Sequence, residues 1–199
     1  MIKLNNISFS YTEKQVLSDL SYTFPDKGIF AIMGKSGEGK TTLLRLLGGL
    51  EKPTVGSIEA TQKKVAIAFQ EPRLLPWLNC ESNLNFVLSK EKQAIDLTAT
   101  LLRDFELEEY AKAMPNALSG GMKQRLSLAR ALAVKADLLL LDEPFSALDA
   151  ALKERIAPLV KSANPTGLTV IVTHDKQDAE LLGAEILLLN GSTLSPLCN

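Results

Sequence analysis

Gly34-Lys35-Ser36-Gly37-Glu38-Gly39-Lys40-Thr41 matches the spacing G-x-x-x-x-G-K-[ST] at every fixed position. Glycines there let backbone N–H groups turn inward around a phosphate with no Cβ in the way. A helix starting at the end of the loop adds partial positive charge at the same point. Lys40 is then placed to reach β- and γ-phosphates, and the Thr41 hydroxyl to hold Mg²⁺. The bland alternative is a glycine-rich turn before a helix. The apolar run Ile29 to Met33 before the loop and the leucine-rich run Thr41 to Leu47 after it favour the phosphate reading.

Leu138-Leu139-Leu140-Leu141-Asp142-Glu143-Pro144 ends an apolar strand in two carboxylates. In doubly wound sheets, ligands bind at the carboxyl edge of the strands. Asp142 can bind Mg²⁺ there, directly or through water, and Glu143 can take a proton from an attacking water. Taken alone, the segment could equally be a strand stopping at an acidic turn. Leu118-Ser119-Gly120-Gly121-Met122-Lys123-Gln124-Arg125 opens a second helix. Ser119 has the type of an N-cap, and Leu126, Ala129 and Ala133 fall on one face. Its bare N-terminus suits an anion, but local features alone favour an ordinary capped helix.

These groups need a frame. Ile2 to Phe9 and the alternating Leu20, Tyr22, Phe24 read as strands, joined by the polar turn Thr12-Glu13-Lys14-Gln15. Short apolar runs at Ile29 to Met33, Val65 to Phe69, Leu138 to Leu141, Leu168 to Val172 and Ile186 to Leu189 read as strands buried on both faces. Helical stretches between them predict an α/β fold with a mostly parallel sheet and an N-terminal antiparallel β subdomain. From about Glu71 to Leu118 the pattern turns helical, as at Leu97, Leu101, Leu102 and Phe105, with Pro72, Pro76 and Pro115 interspersed. That segment is expected to be an inserted helical subdomain, with the core spanning about 1–70 and 119–199 of a single domain.

The 199 residues suffice for one domain with such an insertion. Lys plus Arg number 22 and Asp plus Glu 23, giving a net charge of -1. No overall positive field exists to coat a nucleic acid, so no nucleic-acid partner is expected. Cys80 and Cys198 lack metal-like spacing, and two isolated thiols suit a reducing compartment. The start, Met1 to Asn6, has no signal-like apolar run, and no stretch reaches the roughly 18 apolar residues of a membrane span. Any membrane role is expected to come through a partner.

Taken in order, these motifs resemble the ATP-binding subunits of ABC transporters, over most of the chain. Tyr11 sits where that family stacks an aromatic on adenine. Gly34 to Thr41 is similar to the Walker A loop, with Thr42 following. Gln70 falls at the Q-loop, Leu118 to Arg125 at the family signature, and Leu138 to Glu143 at the Walker B strand and its glutamate. Ser146-Ala147-Leu148-Asp149 resembles the D-loop, and Thr173-His174-Asp175 the switch histidine. Each has a plainer reading: Tyr11 a surface aromatic, Gln70 a strand end, His174 a satisfied polar group, Asp149 a helix cap. Two departures stand out. Glu38 replaces an expected small residue and is expected to point outward, and Met122 stands where many members have Gln.

The resemblance implies a P-loop NTPase fold and ATP hydrolysis with Mg²⁺. Thr41, Gln70 and Asp142 would hold the metal, and Glu143, His174 and Gln70 would serve catalysis. ATP would lie between Tyr11, Gly34, Lys35, Ser36, Gly37, Glu38, Gly39, Lys40, Thr41 and Thr42 of one subunit and Ser119, Gly120, Gly121, Gln124 and Asp149 of the other in a head-to-tail homodimer. Partners would be transmembrane permease subunits and a separate solute-binding protein, with the chain on the cytoplasmic face of the membrane. Pro72-Arg73-Leu74-Leu75-Pro76-Trp77 after Gln70 resembles the nitrate, sulfonate and taurine importer branch. Leu74, Leu75, Pro76 and Trp77 either dock a membrane subunit or pack inside the insertion. About 25 residues follow His174, too few for the C-terminal regulatory domain of some sugar importers. An exporter or membrane-release ATPase shares these motifs. Soluble members acting on DNA or ribosomes usually carry a long coiled-coil insertion or a second cassette, for which 199 residues leave no space.

Overall fold

The computed structural model describes residues 1–12, 14–88 and 94–197. Glu13 of the expected polar turn and Cys198 lie outside them. In chain order the strands are β1 (Ile2–Tyr11), β2 (Lys14–Phe24), β3 (Gly28–Met33), β4 (Val55–Ala60), β5 (Val65–Ala68), β6 (Leu138–Asp142), β7 (Leu168–Val172), β8 (Glu185–Leu189) and β9 (Leu194–Pro196). The α-helices are α1 (Lys40–Leu47), α2 (Cys80–Leu88), α3 (Ala94–Asp104), α4 (Gly120–Ala133), α5 (Ala150–Ala163) and α6 (Lys176–Leu182).

The five apolar runs pair side by side. The main sheet has the order β5-β6-β7-β3-β8-β9, parallel except for β9. A second, antiparallel sheet has the order β2-β1-β4. Both match the expected α/β architecture. Because β3, β5, β6 and β7 run the same way, the loops after them leave from one edge of the sheet. Those loops begin at Gly34, Phe69, Glu143 and Thr173.

Alternation then divides the core. Leu138 and Leu140 of β6 face one side with Phe30, Ile32, Val170 and Val172, against α1 and the antiparallel sheet. Leu139 and Leu141 face the other with Ala31 and Ile171, against α4, α5 and α6. Both faces are buried, as continuous apolar strands in parallel sheets require. The segment after Glu71 is helical, with α2, α3 and two short 3-10 turns at Glu108–Tyr110 and Pro115–Ala117. Its Cys80, Leu84, Leu102, Phe105 and Leu107 join the same apolar cluster as Leu126, Ala129 and Leu139. The insertion therefore shares its core with the sheet.

Two strands escaped the sequence. β4 is exposed apart from a half-buried Ile58 and carries Gly56, so its hydrophobic pattern is faint. β9 is three residues at a sheet edge and ends in Pro196, where a missing N–H is tolerated.

Candidate nucleotide site

The loop from Gly34 to Gly39 connects β3 to α1 and is shaped by what its glycines avoid. At Gly39, φ is 92° and a Cβ would stand 2.8 Å from Val16 Cγ1 and 2.9 Å from Leu17 Cδ2. At Gly34, φ is 156° and a Cβ would stand 2.4 Å from the Leu189 carbonyl oxygen. Strands β2 and β8 thus press against the loop, and glycine alone fits at both ends. Lys40, first in α1, turns its ammonium back over the loop and donates to the Gly34 and Lys35 carbonyls, both at 2.9 Å. One of its three N–H donors remains for a phosphate. Glu38 is not among the residues lining the cavity, but its side chain does not point outward as expected. It folds back rather than into solvent, accepting the Lys35 N–H at 2.7 Å. The unexpected acid is therefore a brace within the loop.

A cavity of about 520 Å³ opens over this loop, within the range of small-molecule sites. From the loop it takes Gly34, Ser36, Gly37, Gly39, Lys40 and Thr41, and from the sheet edge Gln70, Asp142, Glu143 and His174. Tyr11 and Thr42 complete the residues anticipated there. Tyr11 is 40% exposed, packs edge-on to Phe9, and accepts a 3.4 Å contact from Arg45 on its hydroxyl. A flat ring half open to solvent can take a base.

Asp142 ends β6 and is 3% exposed. Burial, with the charge of Glu143, raises its pKa, while a hydrogen bond from Thr41 and the charges of Arg45 and Lys40 act in the opposite sense. Its Oδ1 is buried without a hydrogen-bond partner. A carboxylate oxygen desolvated and unpaired beside the Thr41 hydroxyl fits the hard-oxygen ligation of Mg²⁺.

Glu143 follows with φ 51°, a left-handed backbone unusual for a residue with a long side chain. The turn holds it there. Its N–H donates to Val172 at 2.9 Å, and its carbonyl accepts the Ser146 hydroxyl at 2.9 Å. That conformation sends the carboxylate to His174, whose Nδ1 lies 2.9 and 3.0 Å from the two oxygens. A carboxylate only accepts, so Nδ1 carries the proton. The hydrogen bond and charge of Glu143 raise the His174 pKa above its ordinary value. His174 and Glu143 thus form a carboxylate–imidazole pair at the cavity wall.

The remaining candidates stand apart. Ser119 caps α4 by accepting the Met122 N–H at 3.2 Å, and neither it nor Gly120 or Gly121 lines the cavity. Asp149 caps α5 through the Leu152 N–H at 2.9 Å. Gln124 donates to the Gln70 carbonyl at 3.2 Å and lies 3.5 Å from the Ser146 hydroxyl. Lys35 also lies outside the lining. Lys14, Val16 and Val172 line the cavity and were not singled out from the sequence. Lys14, expected in the polar turn, instead begins β2 and pairs with Tyr11, and its charge there is the signal for it.

Among the described residues, no helix is long and apolar enough to cross a membrane. The family model described as ABC transporter matches residues 17–146. The aliphatic sulfonates import ATP-binding protein SsuB of Corynebacterium glutamicum is 42% identical over 192 residues, covering 94% of this chain and 79% of that protein. Its Escherichia coli counterpart is 42% identical over 195 residues, covering 94% and 76%. The ATP-binding cassette MJ0796, solved as a dimer in a post-hydrolysis state bound to ADP and Pi, superposes with a TM-score of 0.87 at 30% identity over 100% of both chains.

Proposed function

This chain belongs to the ABC transporter family and is an ATP-hydrolysing subunit, and from that premise we propose that it drives import of an aliphatic sulfonate. The observation that carries the site is the convergence at one sheet edge of the Lys40 loop, the unpaired Asp142 Oδ1 and the Glu143–His174 pair. Tyr11 stacks on the adenine. The loop amides and Lys40 hold the phosphates, with Glu38 keeping the loop in shape. Thr41, Asp142 and Gln70 would hold Mg²⁺, which would neutralise charge on the phosphate oxygens. Glu143 accepts the proton of the attacking water, and His174 orients that carboxylate and reaches the γ-phosphate.

The exposed signature residues fit a role in trans. Ser119, Gly120 and Gly121, with Gln124 and Asp149 behind them, close over the nucleotide of a second copy in a head-to-tail dimer. ATP closes that dimer because both subunits gain contacts only in the closed state, and hydrolysis removes them. Trp77, 69% exposed, anchors a transmembrane permease subunit. A separate solute-binding protein delivers the sulfonate, and the chain works at the cytoplasmic face of the membrane. The sulfonate assignment rests on the relatives, since the solute never touches this subunit.

Glu143→Gln tests the chemistry. The amide keeps shape but cannot accept a proton, so hydrolysis by the assembled complex falls at least about a hundredfold while ATP still binds. Unchanged hydrolysis would place the base elsewhere. Uptake of a labelled alkanesulfonate into proteoliposomes, compared with nitrate and a sugar, tests the cargo. Equal uptake of all three would refute it.

A further inference from the structure

Behind His174 lies an ion pair that the chemistry above does not use. Lys153, in the first turn of α5, reaches Asp178 Oδ1 of α6 at 2.6 Å, with side-chain exposures of 22% and 6%. The same ammonium lies 3.5 Å from Asp175 Oδ2. Asp178 Oδ2 accepts the hydroxyl of Thr173 at 3.4 Å, and that hydroxyl accepts the Asp175 N–H at 3.1 Å. Thr173 is fully buried and its N–H reaches the Ile32 carbonyl at 3.3 Å. Both neighbours of His174 are therefore tied to this cluster, while the imidazole itself is 73% exposed and, among the described residues, is hydrogen-bonded to Glu143 alone. The other end of the cluster is equally placed. Lys153 donates its backbone N–H to the carbonyl of Asp149, the cap of α5, at 2.9 Å.

We propose that the Lys153–Asp178 pair is the positioning device for His174, locking the loop Thr173–Asp175 to α5 so that the imidazole stays on Glu143 and moves with the Asp149 end of that helix. The inference rests on the reading of His174 as part of the hydrolytic site. Its energetic logic rests on Asp178: the carboxylate is buried while Lys153 is half-buried, so separating the two elements would leave a buried charge without its cation. Burial alone would lower the Lys153 pKa, but the hydrogen bond and charge of Asp178, with Asp175, raise it overall, so the ammonium persists through the neutral range.

His174 is the only histidine, so in tag-free protein a single imidazole resonance reports its position. The charged groups around it are Glu143 after β6, Asp175 and Asp178 on its own side, and Lys153 of α5. Lys153→Met removes a cation, which by charge alone would raise the His174 pKa. Loss of position takes the imidazole off Glu143 and lowers it towards the ordinary value of about 6.5. The expected result is that downward shift in the nucleotide-free subunit, with kcat of the assembled complex falling about ten- to a hundredfold and KM for ATP nearly unchanged. Lys153→Arg restores both. Lys153→Met with Asp178→Asn leaves no buried unpaired charge and still shows the low pKa and low kcat.

An unchanged or raised His174 pKa in Lys153→Met overturns the inference. So does recovery of wild-type pKa and kcat in the double variant, which would trace the defect to the orphaned carboxylate. The reading of His174 is separable: normal hydrolysis by His174→Ala overturns its catalytic role, and the Lys153→Met titration alone then decides the positioning.

Discussion

Asp142 holds a carboxylate that the fold buries without pairing both oxygens. That is costly until a cation arrives. Asp142→Asn removes the charge and keeps the shape, so the nucleotide-free subunit gains about 1 kcal/mol at pH 7, or a thermal midpoint about 2–4 °C higher. The folded-state pKa is raised, so the wild type is penalised where the group is ionised. The advantage of the variant therefore shrinks as pH falls through the raised folded-state pKa and is lost below the ordinary carboxylate value of about 3.9. Mg²⁺-dependent hydrolysis of the assembled complex drops at least about a hundredfold in the same protein. Calorimetry of the free subunit and steady-state hydrolysis check the two arms, and a variant both less stable and fully active would be incompatible with a metal role. At this scale the sequence was informative about residue type and silent about conformation. Lys40 and Asp142 were legible because their motif spacing encodes the loop and the strand end. The left-handed backbone of Glu143 was not, because it depends on a hydrogen bond to distant Val172, and the fold of Glu38 back onto the Lys35 N–H was not anticipated either.

Among the elements, strands with continuous apolar runs were readable because burial on both faces selects the same residues at every position. β4 and β9 were not, since a mostly exposed strand and a three-residue edge leave little pattern. The sequence after Gln70 admits two readings, and the structure separates its residues. Leu74 packs against the core, and Leu75 is held through its backbone by the buried amide of Asn83, at 2.9 and 3.2 Å. Trp77 projects, and Phe86 of α2 is 63% exposed. Trp77→Ala should therefore leave the midpoint of the isolated subunit within about 2 °C of wild type and weaken capture of the permease subunit. A buried Trp would cost about 3–5 kcal/mol, a midpoint fall on the order of 10 °C. A fall of that size would return Trp77 to the interior.

For the whole molecule, the cavity draws on β1, β2, the loop before α1 and the main sheet's edge, while Ser119, Gly120 and Gly121 at the start of the signature helix lie outside its lining. In the proposed head-to-tail dimer, a second copy's signature would close over the nucleotide. In the Glu143→Gln background, size-exclusion chromatography should show a dimer with ATP and a monomer with ADP, which lacks the phosphate the signature would hold. Adding Ser119→Arg should abolish the dimer while nucleotide still binds the monomer. A double variant that dimerises with ATP would free the signature from that role. One consequence reaches beyond the reaction. Cys80, Leu84, Leu102, Phe105 and Leu107 of the insertion form one apolar cluster with Leu126, Ala129 and Leu139. The segment is thus not a portable module. Transplanting it whole from a relative would need its footprint on α4 and β6 to travel with it, whereas exchanging projecting residues such as Trp77 and Phe86 would leave the interior intact.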